Sequence, residues 1–219
     1  MAEKVTPLPL KALEPPSPFP EANLSNPTVV RILFAAAECF AKGGYQGTTT
    51  KEIAAAAGVS KSLLHYHFQS KEHILLELEA MIFRTVVSRV QSFSMRGTPG
   101  IEQALSALDD TWNLAKSVRK YIPLVIDFWK LSESQPFFRS HQESVAAQVF
   151  QFLTDVIALL LGPDVKKLTM PPERVAELLL STIPGFVIRL YIDPEGVDRA
   201  FEDYKNLLRK LVDAPPPAA

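Results

Sequence analysis

The sequence predicts an all-α protein with a small N-terminal helical domain and a larger C-terminal helical domain. Apolar residues recur at the three- and four-residue spacing of an α-helix, and no segment shows the period-two alternation of a strand. From about residue 97 onward, glycine and proline interrupt this pattern repeatedly, which indicates several consecutive helices. With 219 residues, of which 47% are apolar, the chain is long enough to bury a core in one domain or two small ones.

The most informative stretch is residues 48–68, whose pattern predicts two short helices joined by a tight turn. Thr49 and Glu52 have the spacing of a capping box, in which the threonine oxygen accepts from the third helical amide and the glutamate accepts from the threonine N–H. The first helix is therefore expected to begin at Thr50. Gly58 stands where a helix C-terminus needs a residue that tolerates a positive φ angle.

The second helix of this pair is expected to follow a cap at Ser60. Leu64 and Phe68 are four residues apart and are predicted to turn toward the core. The polar side chains fall largely on the opposite side, which is the side that a DNA groove would meet. They are Lys61, Ser62, His65 and Tyr66.

Two longer helices flank the pair. Asn26 is the expected cap of the first, with Pro27 at the first helical position, where its missing N–H costs nothing. The two glycines at 43–44 are expected to end this helix. A fourth helix is predicted from Ser70 to Phe93, about seven turns, so it must leave the small domain and join it to whatever follows.

Residues 28–76 resemble the helix-turn-helix domain of the TetR family of bacterial transcriptional repressors. The resemblance rests on the runs AAAECFAKGGYQGTT, IAAAAGVSKSLL and SKEHILL and on the triplet YHF, in the family's order and spacing. It implies a repressor that is released from a near-palindromic DNA operator by a small molecule, for which the aromatic content favours an apolar or aromatic compound. The alternative is a helix-turn-helix regulator whose C-terminal domain only dimerises or binds a protein partner.

This resemblance divides the chain into four parts. Residues 26–70 are expected to form the three-helix DNA-binding domain, and residues 71–212 the effector-binding and dimerisation domain, with the fourth helix connecting them. The proline-rich residues 1–25 and residues 213–219 are expected to be disordered tails.

Nine residues are expected to contact DNA by their positions in the family motif. The expected contacts are to phosphate from Thr50 and Lys51, to base edges from Lys61, Ser62 and Leu63, to the backbone from His65, Tyr66 and His67, and to phosphate from Lys71. Position 63 is often small and polar in the family and position 65 is often tyrosine, so Leu63 has the alternative of sharing the core with Leu64. A metal site at His65 and His67 is not expected, because residues two apart on a helix face different directions.

The C-terminal part is predicted to contain helices near 101–116, 118–132, 137–161, 172–191 and 195–212. The last two resemble the family's dimerisation helices, and their apolar surface exceeds what one thin domain can cover. A homodimer is therefore expected. Its predicted interface residues are Leu179, Ile183, Phe186, Val187, Leu190, Tyr204, Leu208 and Leu211.

Aromatic residues with a few polar neighbours predict a small-molecule effector site in the same domain, although aromatic residues at helical spacing are more often plain core. The candidates are Trp112, Tyr121, Asp127, Phe128, Trp129, Phe150 and Arg189.

Composition and motifs exclude other classes of protein. The net charge is −1, but residues 26–71 carry five basic and two acidic residues, so a modest positive excess could face phosphates. Cys39 is the only cysteine, no signal-peptide pattern is present, and no apolar stretch is expected to approach the roughly 18 to 20 residues of a membrane span. A cytoplasmic protein is expected. The sequence has no catalytic motif, so an enzyme is only a remote alternative and no cofactor is predicted.

Overall fold

The structure is a computed structural model that describes residues 17–94 and 97–213. Within these ranges the regular secondary structure is entirely helical, which confirms the all-α prediction. The helices are α1 Pro27–Gly47, α2 Thr50–Ala56, α3 Lys61–His67, α4 Lys71–Ser94, α5 Ile101–Ser117, α6 Ile122–Ser134, α7 Pro136–Leu161, α8 Pro172–Ile192 and α9 Pro194–Asp213, with 3-10 turns at Arg119–Tyr121 and Gly162–Lys167.

The helix boundaries follow the sequence signals except between α5 and α6. A helix was expected from 118, but a 3-10 turn over Arg119–Tyr121 comes first and α6 begins at Ile122. Pro123 explains the late start, since a residue without a backbone N–H is best placed in the first turn of a helix.

Helix α1 is interrupted near its end. The Asn26 side chain accepts from the N–H of Thr28 and caps the helix, as expected. Gly44 has φ 68° and ψ 165°, so the helical backbone breaks there and one further turn follows to Gly47. The helix was expected to end at residues 43–44, but it ends at Gly47, and the glycine pair produces a break at Gly44.

Packing divides the described chain into two compact units. The N-terminal unit contains residues 17–84 and 120–144, and the C-terminal unit contains the described residues of 85–119 and 145–213. The N-terminal unit thus combines α1 to α3 with the first half of α4, α6 and the start of α7. Their shared core includes Ile32, Leu33, Phe40, Ile53, Leu64, Phe68, Ile74, Leu124, Phe128 and Phe138.

This grouping does not coincide with the expected boundary at residue 70. Leu124, Phe128 and Leu131 of α6 lie in the same core as the DNA-binding helices, and α6 packs directly against α1. The division into domains 26–70 and 71–212 concerns function and stays a prediction.

The C-terminal unit is built from the end of α4, α5, most of α7, α8 and α9. The Trp112 indole stacks on Phe201 with ring centroids 4.3 Å apart, and its Nε1 donates to the carboxylate of Asp198 at 2.7 Å. The Phe186 ring meets both the Trp112 and the Phe201 ring edge to face. These contacts fasten α5 and α8 to the start of α9.

The segment before α1 corrects one expectation. The Phe19 ring stacks on the buried His73 ring at 4.8 Å, and His73 Nε2–H donates to the carbonyl of Pro20 at 3.0 Å. Ala22 is also buried. The expected disordered tail over 1–25 is therefore wrong for residues 17–25, because proline prevents regular structure without preventing apolar side chains from packing. Residues 1–16 and 214–219 lie outside the described residues.

Two helical segments contradict the expectation about membrane spans. Pro136–Lys167 and Pro172–Ile192 are long and apolar enough to cross a membrane, by length and composition only. In the most apolar 18-residue stretch of each segment, only 28% and 22%, respectively, is buried inside the single chain. A core helix of a soluble protein passes the same test of length and composition.

Candidate nucleic-acid interface

Helix α2 begins where the sequence predicts. The Thr49 side chain accepts from the Glu52 N–H at 3.2 Å, and Glu52 Oε2 accepts from the Thr49 N–H at 2.7 Å, which completes the capping box. These hydrogen bonds from Thr49 hold the pKa of the Glu52 carboxyl below its ordinary value. The cap fixes the first turn of α2, which carries Thr50 and Lys51.

The turn between α2 and α3 has the predicted conformation. Gly58 has φ 64°, and the next residue, Val59, donates its N–H to Ala54 O at 3.0 Å, which is a typical helix C-terminal arrangement. Arg31 on α1 adds a contact that the sequence did not reveal, since its Nε donates to Ala57 O at 2.8 Å. Ser60 Oγ then accepts from the Leu63 N–H at 3.1 Å and caps α3 as expected.

Helix α3 has one buried face and one exposed face. Leu64 and Phe68 are fully buried, as predicted, so the register of the helix is fixed. Leu63 is 39% exposed and Tyr66 is 82% exposed, so Leu63 lies outside and not in the core with Leu64. The exposed residues are Lys61, Ser62, Leu63, His65 and Tyr66, whereas His67 is half-buried with its ring 5.0 Å from that of Tyr66.

Lys71 has a structural role that was not predicted. Its Nζ donates to Tyr45 O at 2.8 Å and to Thr48 O at 2.9 Å, and lies 4.3 Å from the centre of the Tyr45 ring. An ammonium group has three donors, so one of them is left for a phosphate. The expected phosphate contact of Lys71 stays a prediction. Together with Arg31, Lys71 shows that part of the basic excess binds the protein's own carbonyl groups.

The connection between α1 and α2 is held by residues far away in sequence. The Tyr45 N–H, which the break at Gly44 removes from the α1 ladder, donates to Asp127 Oδ2 at 2.8 Å. The Tyr45 hydroxyl donates to Glu72 at 2.8 Å, and burial is the main cause that raises its pKa well above the ordinary value. Thr48 Oγ1 lies within hydrogen-bond distance of Gly44 O at 2.9 Å.

The structure does not gather the seven expected effector residues in one unit. Those in the N-terminal unit are Tyr121, Asp127, Phe128 and Trp129, and those in the C-terminal unit are Trp112, Phe150 and Arg189. Several have partners within the chain. Asp127 accepts from the Tyr45 N–H, the Tyr121 hydroxyl donates to Glu38 at 2.6 Å, and Trp112 donates to Asp198. Arg189 pairs with Asp193 on the surface. Phe128 is buried in the core with α1, while Trp129 is exposed.

The expected dimer residues occupy different environments in the single chain. Leu190 is only 1% exposed and is therefore core, which corrects its assignment to an interface. The other seven are half-buried, and they are Leu179, Ile183, Phe186, Val187, Tyr204, Leu208 and Leu211. On the same two helices Leu178 is 42% and Leu207 60% exposed.

The chain matches known proteins over the region just described and beyond it. The profile of the family described as "Bacterial regulatory proteins, tetR family" matches residues 32–78. The transcriptional repressor AcnR of Corynebacterium glutamicum is 40% identical over 189 residues, which cover 82% of this chain and 91% of that protein. The chain therefore belongs to the TetR family of bacterial transcriptional regulators, and it is not an enzyme.

Two further proteins are similar to this chain, one in sequence and one in structure. The transcriptional regulator QacR of Staphylococcus aureus is 48% identical over 48 residues, which span 22% of this chain and 26% of QacR. The transcriptional regulator FadR of Bacillus subtilis, solved in complex with stearoyl-CoA, has the same fold with a TM-score of 0.66. The match covers 85% of this chain and 98% of that one, at 18% sequence identity.

Proposed function

We propose that this protein is a cytoplasmic repressor that binds a near-palindromic operator as a homodimer and leaves it when an apolar or aromatic small molecule binds. The exposed face of α3 is the observation that carries the DNA part of the proposal. Polar, aromatic and apolar side chains stand together on this face, while Leu64 and Phe68 fix the helix from below. The similarity to a repressor over 82% of this chain supports the direction of control.

The DNA contacts divide by chemistry. Lys61, Ser62 and Leu63 are proposed to reach base edges, because a lysine donates to guanine and a leucine contacts the thymine methyl group. The other proposed contacts are to the DNA backbone, which positions the protein without reading sequence. They come from Thr50, Lys51, His65, Tyr66, His67 and, through its remaining donor, Lys71.

In vitro selection from a random duplex library tests this assignment. The wild-type protein should return a near-palindromic sequence, and Lys61→Ala or Ser62→Ala should change the preferred bases. Lys42→Ala is the matched control, since Lys42 is an exposed lysine on α1 outside the proposed face. Its selected sequence should equal that of the wild type. An unchanged sequence for both α3 variants would contradict the base contacts.

The dimer is proposed to form through α8 and α9. These helices leave large apolar side chains uncovered in the single chain, and a second copy would bury them. Leu178→Glu with Leu207→Glu is the sharpest test, because both side chains are already exposed and the charges do not enter the core. The double variant should be a folded monomer by light scattering. Phe34→Glu, at an exposed apolar residue on α1, should stay dimeric.

The effector part rests on the fold and on its relatives. FadR, which shares the fold, binds stearoyl-CoA, a molecule with a long apolar chain. We propose a ligand of that general character for the C-terminal unit, with Trp112, Phe150 and Arg189 as candidate neighbours.

Reciprocal titration of the protein with operator DNA and with each of two probes tests the effector. The probes are stearoyl-CoA, which has a long apolar chain, and triclosan, which is an apolar aromatic compound. A true effector lowers operator affinity by about 5- to 150-fold, and operator DNA must weaken its binding by the same factor. A protein that dimerises and binds DNA but is stabilised by neither probe would favour the alternative, a C-terminal domain that only dimerises or binds another protein.

A further inference from the structure

The strongest unassigned feature is the segment Tyr45–Thr48, which comprises the last turn of α1, beyond its break at Gly44, and the residue that follows it. We call this segment the connection, because it leads from the main part of α1 to α2. Tyr45 and Thr48 are almost completely buried. Thr49, the cap of α2, follows immediately, and Thr50 and Lys51 come next. The position of these two proposed phosphate contacts therefore depends on how the connection is held.

Helix α6 holds the connection from one side. Asp127 Oδ2 accepts the Tyr45 N–H at 2.8 Å, and it lies 3.8 Å from where a Cβ on Gly44 would be. The same helix packs on α1 through Phe128, and Tyr121, the residue before α6, donates its hydroxyl to Glu38 of α1.

Helix α4 holds the connection from the other side. Lys71 Nζ donates to the carbonyls of Tyr45 and Thr48, and the Tyr45 hydroxyl donates to Glu72. Tyr45 is thus bound at its N–H by α6 and at its carbonyl and hydroxyl by α4. A displacement of either helix would therefore move Tyr45, which lies five positions before Thr50, the first residue of α2.

We propose that Asp127 is a positioning residue for DNA binding. Its carboxylate on α6 sets the Tyr45–Thr48 connection and, through it, the side chains of Thr50 and Lys51. This assignment replaces the expected contact of Asp127 with an effector, and it rests on the proposed function for the phosphate contacts. Helix α6 would then contribute to DNA binding without contacting DNA itself.

The physical reason is the cost of an unpaired N–H. When the Asp127 acceptor is removed, the partly buried Tyr45 N–H has no partner unless the connection moves to admit water. A moved connection shifts the phosphate contacts, which must be placed within a few tenths of an ångström to form hydrogen bonds.

The experiment measures operator affinity on a duplex selected from a random library by the wild-type protein. Asp127→Ala should weaken binding by roughly tenfold, which is within the range that an unpaired buried donor produces. Asp127→Asn keeps an acceptor oxygen in place and should bind within about twofold of the wild type. Glu133→Ala, which removes an exposed carboxylate from the same helix without a contact to the connection, is the matched control and should leave affinity unchanged.

A double-mutant cycle separates positioning from general weakening. Lys51→Ala should weaken wild-type binding by about fivefold or more, yet should have less than about a twofold effect in the Asp127→Ala protein. It should also lower the salt dependence of wild-type binding by about one phosphate contact. Asp127→Glu, which retains the charge but moves it by one methylene group, replaces Asp127→Ala if that variant does not fold.

The outcomes are distinct. Wild-type affinity in the Asp127 variant, or additive effects in the cycle, would overturn the positioning role while leaving the proposed function intact. A wild-type protein that selects no sequence, or that is unaffected by Lys51→Ala, would overturn the phosphate contacts and this inference with them.

Discussion

Replacing Lys71 with methionine tests whether this residue primarily stabilises the fold. Methionine retains most of the aliphatic chain but removes the ammonium, which donates to two carbonyls at 2.8 and 2.9 Å and lies over the Tyr45 ring. Hydrogen bonds from a charged donor contribute about 1.5 to 3 kcal/mol each, and an exposed cation–π contact about 0.5 to 1 kcal/mol. Because Lys71 is half-buried, we take the lower end for the two hydrogen bonds alone and expect Lys71→Met to lower the free energy of unfolding by about 3 kcal/mol.

Urea denaturation at a single protein concentration measures this change in the unfolding free energy. In a separate thermal denaturation, the melting temperature should fall by about 6 to 12 °C. Lys51→Met is the control, because Lys51 is exposed, and its unfolding free energy should stay within about 0.5 kcal/mol of the wild type. A stable Lys71→Met protein that binds all DNA sequences more weakly would refute the structural role and favour a pure phosphate contact.

Three other changes test the packing. Gly162→Ala should lower the unfolding free energy by about 2 to 4 kcal/mol in a urea titration, because φ is +52° and the new Cβ would lie 2.6 Å from Pro99 Cβ. Gly47→Ala is the control, and it should not lower the unfolding free energy in this way, because the space around Gly47 is open. Trp112→Phe should cost about 2 kcal/mol in the same assay, since it removes the donor to Asp198. Burial lowers the pKa of His73 below its ordinary value of 6.5, so the unfolded chain binds the proton first as the pH falls. The stability of the wild-type protein therefore decreases below about pH 6.5. His73→Gln should reduce this loss of stability. A wild-type and variant pair with equal slopes of unfolding free energy against pH would contradict this.

Local signals in the sequence were sufficient for most of the helices. The capping box at Thr49 and Glu52, the cap at Ser60 and the positive φ angle at Gly58 involve residues at most three apart, so the sequence predicts their geometry directly. The exposed face of α3 follows from the same logic, since two apolar residues four apart determine which side turns inward.

Long-range hydrogen bonds were not predictable in this way. The contact between Asp127 and Tyr45 joins residues 82 apart in sequence, and Arg31 and Lys71 each reach a carbonyl 26 residues away. A basic residue in a DNA-binding segment suggests a phosphate partner, and only the fold shows that an internal carbonyl is closer. Leu190 illustrates the same limit, because helical spacing shows that a leucine is buried without showing whether its own chain or a second copy covers it.

The segment before α1 determines where a shortened chain can begin. Residues 32–78 match the family profile, so trimming the protein at Asn26 would leave every recognisable helix intact. It would nevertheless remove the ring that stacks on His73 and the Pro20 carbonyl that accepts its N–H, and so open a buried imidazole to solvent. Proteolysis between Phe19 and Asn26 would do the same. An isolated DNA-binding fragment, or a fusion to a fluorescent tag, therefore has to retain the chain from before Phe19.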